Sequence, residues 1–163
     1  MHLSLALEIN PTGWRRTLTQ LGGSLTSFTP EMKEIRRLQA RSVDLTFRQG
    51  GRPQPWARLA ETTIAARRRR TRRTGEQPVA GFETPLRAFD DSLRKALVDT
   101  TGTAPGSASY VNETEAVAGI SLPYAARQQA RRPFLVLLPT DQRAYQDVLT
   151  AGLRRRVAAV QRL

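Results

Sequence analysis

Six arginines fill a stretch of seven positions: Arg67, Arg68, Arg69, Arg70, Arg72 and Arg73, with Thr71 between them. A guanidinium presents a planar fork of donors that pairs bidentately with a carboxylate or a phosphate. A flexible array of such forks neutralises several anions without reading a base sequence. The block cannot be buried without many anionic partners, because each unpaired buried charge costs several kcal/mol. It must therefore face solvent, DNA or an acidic protein surface. No aromatic residue is interleaved with it, so there is no platform for stacking single-stranded bases. No helix-turn-helix or zinc-finger pattern accompanies it either. Non-specific DNA contact, docking on an acidic neighbour and plain solvation are all open on the residues alone.

Other reactive groups are scarce. The only histidine is His2, at the very start of the chain, and there is no cysteine, which excludes disulfides, thiolate zinc sites and cysteine nucleophiles. Neither a P-loop nor a Rossmann glycine fingerprint occurs, and Gly50-Gly51 lacks the strand–turn–helix setting needed to cradle a phosphate. Asp90 and Asp91 are adjacent, so on a helix they point about 100° apart and cannot converge on one metal ion. With Arg87 and Arg94 along the same helix, they are expected to form a solvated charged face. Glu113 and Glu115 flank an expected hairpin turn. The sequence therefore predicts no catalytic, cofactor-binding or metal-binding residue, and the chain is not expected to be an enzyme.

The 163 residues suit one domain, 1–163, able to bury a core without metal or disulfide support. The net charge is +12 and is carried almost wholly by arginine, since Lys33 and Lys95 are the only lysines. A field of that sign draws polyanions and acidic partners. An apolar fraction of 39% with 6% aromatics predicts a modest core and some apolar surface left for neighbours. No run of 18 apolar residues is present, so no membrane-spanning segment is expected. The N-terminus has no basic region leading into an apolar stretch, so no secretory signal is expected.

The elements that must hold these groups follow from periodicity. Leu3, Leu5, Leu7 and Ile9 alternate with smaller or polar residues, predicting a strand. Trp14, Leu18, Leu21 and Leu25 stand at helical spacing. Thr29 as cap, Pro30 and Glu31 open a second helix, striped by Met32, Ile35, Leu38 and Leu45 and stopped at Gly50-Gly51. Trp56 and Leu59 are expected core anchors. Thr62 to Arg70 is open to a helical reading but runs into the arginine block, and the region 67–83 lacks apolar periodicity and reads as a mobile arginine-rich loop. Thr84-Pro85 starts another helix with Leu86, Phe89, Leu93 and Leu97 on one face. Ala108 to Val111 and Ala116 to Leu122 predict a hairpin, Tyr124 to Gln129 a short helix, and Phe134 to Leu138 a buried strand. Thr140 caps a last helix bearing Tyr145, Val148, Leu149, Leu153, Val157 and Val160. The expected fold class is α+β: a small, mainly antiparallel sheet packed by several helices, with a long basic loop. Trp56, Leu59, Phe89, Leu93, Tyr124 and Phe134 are expected in the packed interior rather than around a ligand pocket.

The order of several short segments is similar to that of a known family. Phe47-Arg48-Gln49-Gly50-Gly51-Arg52-Pro53-Gln54-Pro55-Trp56-Ala57-Arg58-Leu59 resembles an aromatic–glycine–proline–tryptophan–leucine segment of the phage Mu-type virion morphogenesis, or tail-completion, family. Thr62-Thr63 and the arginines after them match its threonine-then-basic continuation. Pro85 to Leu93 looks like its leucine-rich segment ending near a serine. Tyr124-Ala125-Ala126 and Arg131-Arg132-Pro133-Phe134-Leu135 resemble its tyrosine–alanine and arginine–proline–phenylalanine pair. There are departures: Leu86-Arg87 stands where the family often has threonine–glycine, a histidine common near the tyrosine–alanine segment is absent, and the loop between Gln129 and Arg131 is nearly deleted.

The resemblance implies a structural protein of the neck or tail end of a virion, assembled in the host cytoplasm. There it would form a homo-oligomeric ring that completes the tail and supports head–tail joining. The implied partners are other copies of the chain, adjoining neck and tail proteins, and non-specifically the packaged DNA, with no membrane and no cofactor. Tight DNA binding in a neck would oppose ejection, which favours an acidic protein surface as the partner of the arginine block. Two alternatives remain at this level: a non-specific DNA-binding protein acting through the arginine block, and an assembly chaperone absent from the mature virion.

Overall fold

A computed structural model describes residues 19, 22, 23, 27–74, 83, 85, 86 and 91–162. The expected strand Leu3–Ile9, the helix carrying Trp14 and Leu18, and the anchor Phe89 lie outside the described residues, as do His2, Thr84 and Asp90. Five helices and one two-stranded sheet make up the rest: α1 Thr29–Gln49, α2 Glu61–Thr74, α3 Ser92–Val98, β1 Tyr110–Val111, β2 Ala116–Val117, α4 Ala125–Arg131 and α5 Pro139–Val160.

Helix α1 is the hub, packing against α5, α3 and both strands. Its buried face carries Ile35, Ala40, Val43 and Phe47 at helical spacing, interrupted by the polar residues Glu31, Arg36 and Thr46. Leu45, expected on the apolar stripe, is 41% exposed, and Val43 takes the buried position instead. Thr29 is the first helical residue rather than the cap, which is Phe28, and no side chain caps the helix. The stop is as the sequence predicts: Gly50 takes a left-handed conformation with φ 70°, and the Gly51 amide returns to the Thr46 carbonyl at 2.9 Å. Gly51 itself has φ +121°, and a Cβ there would meet the Gln54 carbonyl oxygen and the Trp56 amide nitrogen, both at 2.6 Å. Only glycine lets the chain turn back this tightly.

The core gathers Val43, Phe47, Trp56, Leu93, Leu97, Ala125 and Phe134. Phe47 meets Trp56 edge-on with centroids 5.5 Å apart and Phe134 at 6.0 Å. The indole nitrogen of Trp56 donates to the Pro133 carbonyl at 2.9 Å, satisfying the polar tip of a buried ring. Gln129 clamps the neighbouring turn, its Oε1 accepting from the amides of Phe134 and Leu135, each at 3.0 Å.

Several expectations are corrected. The molecule is mainly helical, and its sheet, among the described residues, is a hairpin in the register Tyr110↔Val117 and Val111↔Ala116, extended by an isolated bridge Ser107↔Ile120. Asn112 closes that hairpin by accepting from the Thr114 and Glu115 amides at 2.9 and 2.7 Å. Phe134 to Leu138 joins no ladder. Phe134 is buried there while Leu137 is 56% exposed, so the apolar run serves as a packed connection and not as a strand. Among the described residues, the helix carrying Leu93 and Leu97 starts at Ser92 and does not run unbroken from Pro85, because Leu86 and Asp91 have φ of 64° and 54°, incompatible with a helix running through them. Asp91, expected on a solvated face, is buried and pairs with Arg94 at 2.9 Å. At α5 the first helical residue is Pro139, and Asp141 rather than Thr140 secures the start, accepting from the Leu138 amide at 3.2 Å.

Arg36 is the largest polar insertion into this interior, 1% exposed. Its Nη2 lies within hydrogen-bonding reach of the carbonyls of Leu97 (2.7 Å) and Asp99 (2.6 Å) and of Ser109 Oγ (2.9 Å). The guanidinium thereby satisfies carbonyls at the C-terminal end of α3, where a cation is electrostatically favoured. Burial holds its pKa below the ordinary arginine value.

Candidate functional site

The arginine block is helical. Arg67, Arg68, Arg69, Arg70, Arg72 and Arg73 all lie within α2, correcting the loop expected over the start of 67–83. Arginine is a good helix former, and α2 opens on Glu61, whose charge suits the N-terminal end. A helix needs no apolar stripe when it buries little, and α2 has no broad packing against another described element. The helical reading open for Thr62 to Arg70 therefore holds, and periodicity missed only its continuation through the arginine block to Thr74. Arg68, Arg69, Arg70 and Arg73 are exposed, and Arg68 forms an ion pair with Glu83. Among the side chains of α2 that are described, Ile64 and Arg67, three apart on the helix, turn partly toward the body.

Where α2 meets the body there is a cleft of about 550 Å³. Arg58, Leu59, Ala60, Thr63 and Arg67 form one wall; Leu86, Ser92 and Leu93 form a second; Tyr124, Gln128 and Arg132 on and beside α4 form a third. Three cations from three parts of the chain thus converge on one concavity with a leucine floor. Arg67 is half-buried there; desolvation first, and then the charge of Arg132, lower its pKa from the ordinary arginine value. The Nε of Arg132 is shielded from solvent and has no hydrogen-bond partner among the described residues. Ser92 Oγ and Tyr124 Oη sit 2.8 Å apart and form a hydroxyl pair at the rim.

The expected interior residues divide between core and cleft. Trp56, Leu93 and Phe134 are buried at 8%, 3% and 1% exposure. Leu59 is half-buried and Tyr124 is 45% exposed, and both line the cleft, as does one side of Leu93. Assigning Leu59 and Tyr124 to the interior is therefore corrected: each has its apolar body against the protein and an open side on the concavity. Sequence reasoning missed Arg58, Arg132 and Ser92. Nothing in local spacing marks them, because 34 to 74 positions separate them from one another and the segments meet through tertiary contacts such as Trp56 with Pro133 and Ser92 with Tyr124.

Chemically, the cleft can hold an anion beside an apolar group. Among the described residues no group of acidic, histidine or cysteine side chains is placed to hold a metal ion. No helix of the described residues is long and apolar enough to cross a membrane. Comparison with protein-family models, with curated proteins and with solved structures finds no match.

Proposed function

We propose that this chain is a structural phage virion subunit of the neck or tail end, forming a homo-oligomeric ring that completes the tail and supports head–tail joining. The observation that carries the proposal is the way the family-like segments meet. Residues 47–59 and 124–135, which resemble the virion morphogenesis family in their order along the chain, interlock: Phe47 packs edge-on against Trp56 and at a tilt against Phe134, and Trp56 bonds to Pro133. Short motifs scattered along a chain are weak singly, and gain weight when they are the residues that build one core.

Two surfaces suit the role. Leu153 and Val157, four apart on α5, are each 39% exposed, and Leu137 is exposed beside an apolar groove of about 420 Å³ lined by Val43, Leu135, Val136 and Tyr145. Exposed apolar surface of this kind fits subunit contacts in a ring. The arginine helix supplies the charged contact, to an acidic neck or tail protein in preference to passing DNA. The role uses no catalytic residue and no cofactor, and places the protein in the virion after assembly in the host cytoplasm.

Locating the subunit in purified particles by electron microscopy tests the proposal. The expected result is a ring of copies at the neck or tail end. A single copy per particle would refute the ring, and absence from purified virions would turn the role into that of an assembly chaperone. A monomer in gel filtration that assembles only on added nucleic acid would favour the non-specific DNA binder.

A further inference from the structure

Strand β2 leaves one edge of the hairpin largely unmet. The Ala108 amide donates to the Gly119 carbonyl at 3.0 Å and the Asn112 amide to the Glu115 carbonyl at 2.9 Å. With Tyr110 opposite Val117, residues 115, 117 and 119 turn their main-chain groups toward β1, and Ala116 and Ala118 turn theirs away. One of these outward groups is met, since Gln39 Nε2 donates to the Ala116 carbonyl at 3.1 Å. The amide and carbonyl of Ala118 bond to no described residue. Ala118 borders the groove of about 420 Å³, together with Val43 of α1, Tyr145 of α5 and the irregular run Leu135, Val136 and Leu137. The main-chain groups of Val136 and Leu137 likewise bond to no described residue. No residue lining the groove carries a charge. A hairpin with two paired residues in each strand is marginal by itself and gains most from a third strand over an apolar floor.

The groove therefore suits an extended, nearly uncharged segment with main-chain bonds along one side and aliphatic side chains at every second position. Within this chain, residues 3–9 have that pattern. Leu3, Leu5, Leu7 and Ile9 alternate with Ser4, Ala6 and Glu8, so one face of the extended segment is wholly aliphatic and Glu8 is its single ionised side chain. We propose that residues 3–9 add as a third strand to the open edge of β2 in the same molecule, laying their aliphatic face over Val43 and Tyr145. The point where the chain enters α1 supports this occupant. Phe28 donates its amide to the Glu113 carbonyl at 2.8 Å, at the tip of the same hairpin. Ala118 is five positions further on, within about 18 Å. The 18 residues 10–27 span about 27 Å even when wholly helical and about 60 Å when extended, so residues 3–9 reach the edge. Other occupants fit less well. A second copy brings +12 against +12, and its segment competes with one tethered at an effective concentration on the order of millimolar. Nucleic acid finds no cation in the lining. With the groove filled from within, subunit contacts in the ring proposed above fall to Leu153 and Val157 on α5, and the strand addition itself does not depend on that ring.

The test uses the full chain, isotope-labelled, and reads amide exchange and paramagnetic broadening by NMR. The Ala118 amide is expected to exchange at least about tenfold more slowly in the parent than in Leu5→Asp, which puts a charge on the aliphatic face. Ser4→Asp, the same added charge on the other face, should leave that exchange unchanged. The Phe47 amide in α1 should stay protected in both variants, which separates loss of the strand from loss of the fold. Because the chain has no cysteine, Ala6→Cys carries a single nitroxide tag, and the tag should broaden the Ala118 and Val136 amide signals of its own chain. Mixing a tagged, unlabelled copy with an untagged, labelled one should broaden neither. If Leu5→Asp fails to fold, the tag decides alone. Equal exchange in the parent and a folded Leu5→Asp, equal loss of protection in Ser4→Asp, or no broadening at Ala118 in the tagged chain would each overturn the proposal. So would broadening in the mixture, which would make a second copy the occupant.

Discussion

Arg156 grips Glu31 with both ends of its guanidinium, Nη1 to Oε1 at 3.0 Å and Nη2 to Oε2 at 2.6 Å, tying α5 to the first turn of α1. Arg155 adds a contact at 3.1 Å, and the Arg156 guanidinium lies 4.6 Å from the centroid of the Phe28 ring. Glu31 is only 3% exposed, so removing its main partner would strand a buried carboxylate. Arg156→Ala is expected to cost about 3–5 kcal/mol, less whatever Arg155 recovers. Urea denaturation at neutral pH measures it.

The same pair sets a pH dependence. The hydrogen bonds from Arg156 hold the Glu31 carboxyl below its ordinary value, against the opposing effect of burial. A depressed folded pKa means the stabilisation is complete above the unfolded value of about 4.3 and is lost as pH falls through the lower folded value. Glu31→Gln should therefore flatten the stability–pH curve in that acid window while lowering stability at neutral pH. Melting temperatures taken between pH 2 and 7 in both proteins check the difference.

Gly152 on α5 is buried directly over this carboxylate. A Cβ there would lie 2.3 Å from Glu31 Oε1 and 2.6 Å from its Cδ. Gly152→Ala is expected to destabilise by about 1–3 kcal/mol through overpacking, although alanine is the better helix former. In a double-mutant cycle with Glu31→Gln the two changes should couple, because the methyl group and the carboxylate compete for one space.

In the core, Phe134→Ala is expected to cost about 3–5 kcal/mol. Trp56→Phe should cost less in packing yet leave the Pro133 carbonyl unpaired, a loss of about 1–3 kcal/mol. Differential scanning calorimetry on both variants gives the order.

Replacing the exposed Arg69, Arg70 and Arg73 together with glutamine should leave the isolated fold within about 0.5 kcal/mol of the parent. The proposed function predicts that the same change impairs head–tail joining and yields separate heads and tails. Normal yields of infectious particles would show that these arginines are only solvated.

Local signals announced what local physics controls. Gly50 at the end of α1, Asn112 in the hairpin and the apolar spacing along α5 were legible because each acts on residues within a few positions of itself. The ions inside the fold were not. Glu31 and Arg156 stand 125 positions apart, and Arg36 reaches Ser109 across 73, so no window of sequence contains either partnership. Leu86 and Asp91 adopt backbone conformations that their types do not advertise, and the expected helix start moved accordingly. For the cleft, the arginine of α2 was visible as charge, but its companions Arg58 and Arg132 join it only through tertiary packing, to which the Trp56–Pro133 bond contributes.

The slight packing of α2 has an evolutionary consequence. Folding rests on α1 and what it gathers, whereas the charged contact of the proposed function sits on a helix that contributes little to that assembly. The charges of α2 can be rewritten, thinned or reversed one at a time with small effect on whether the molecule folds, and each rewriting changes which neighbour it suits. Under the proposed function, partner choice would thus be free to drift on a scaffold that stays put.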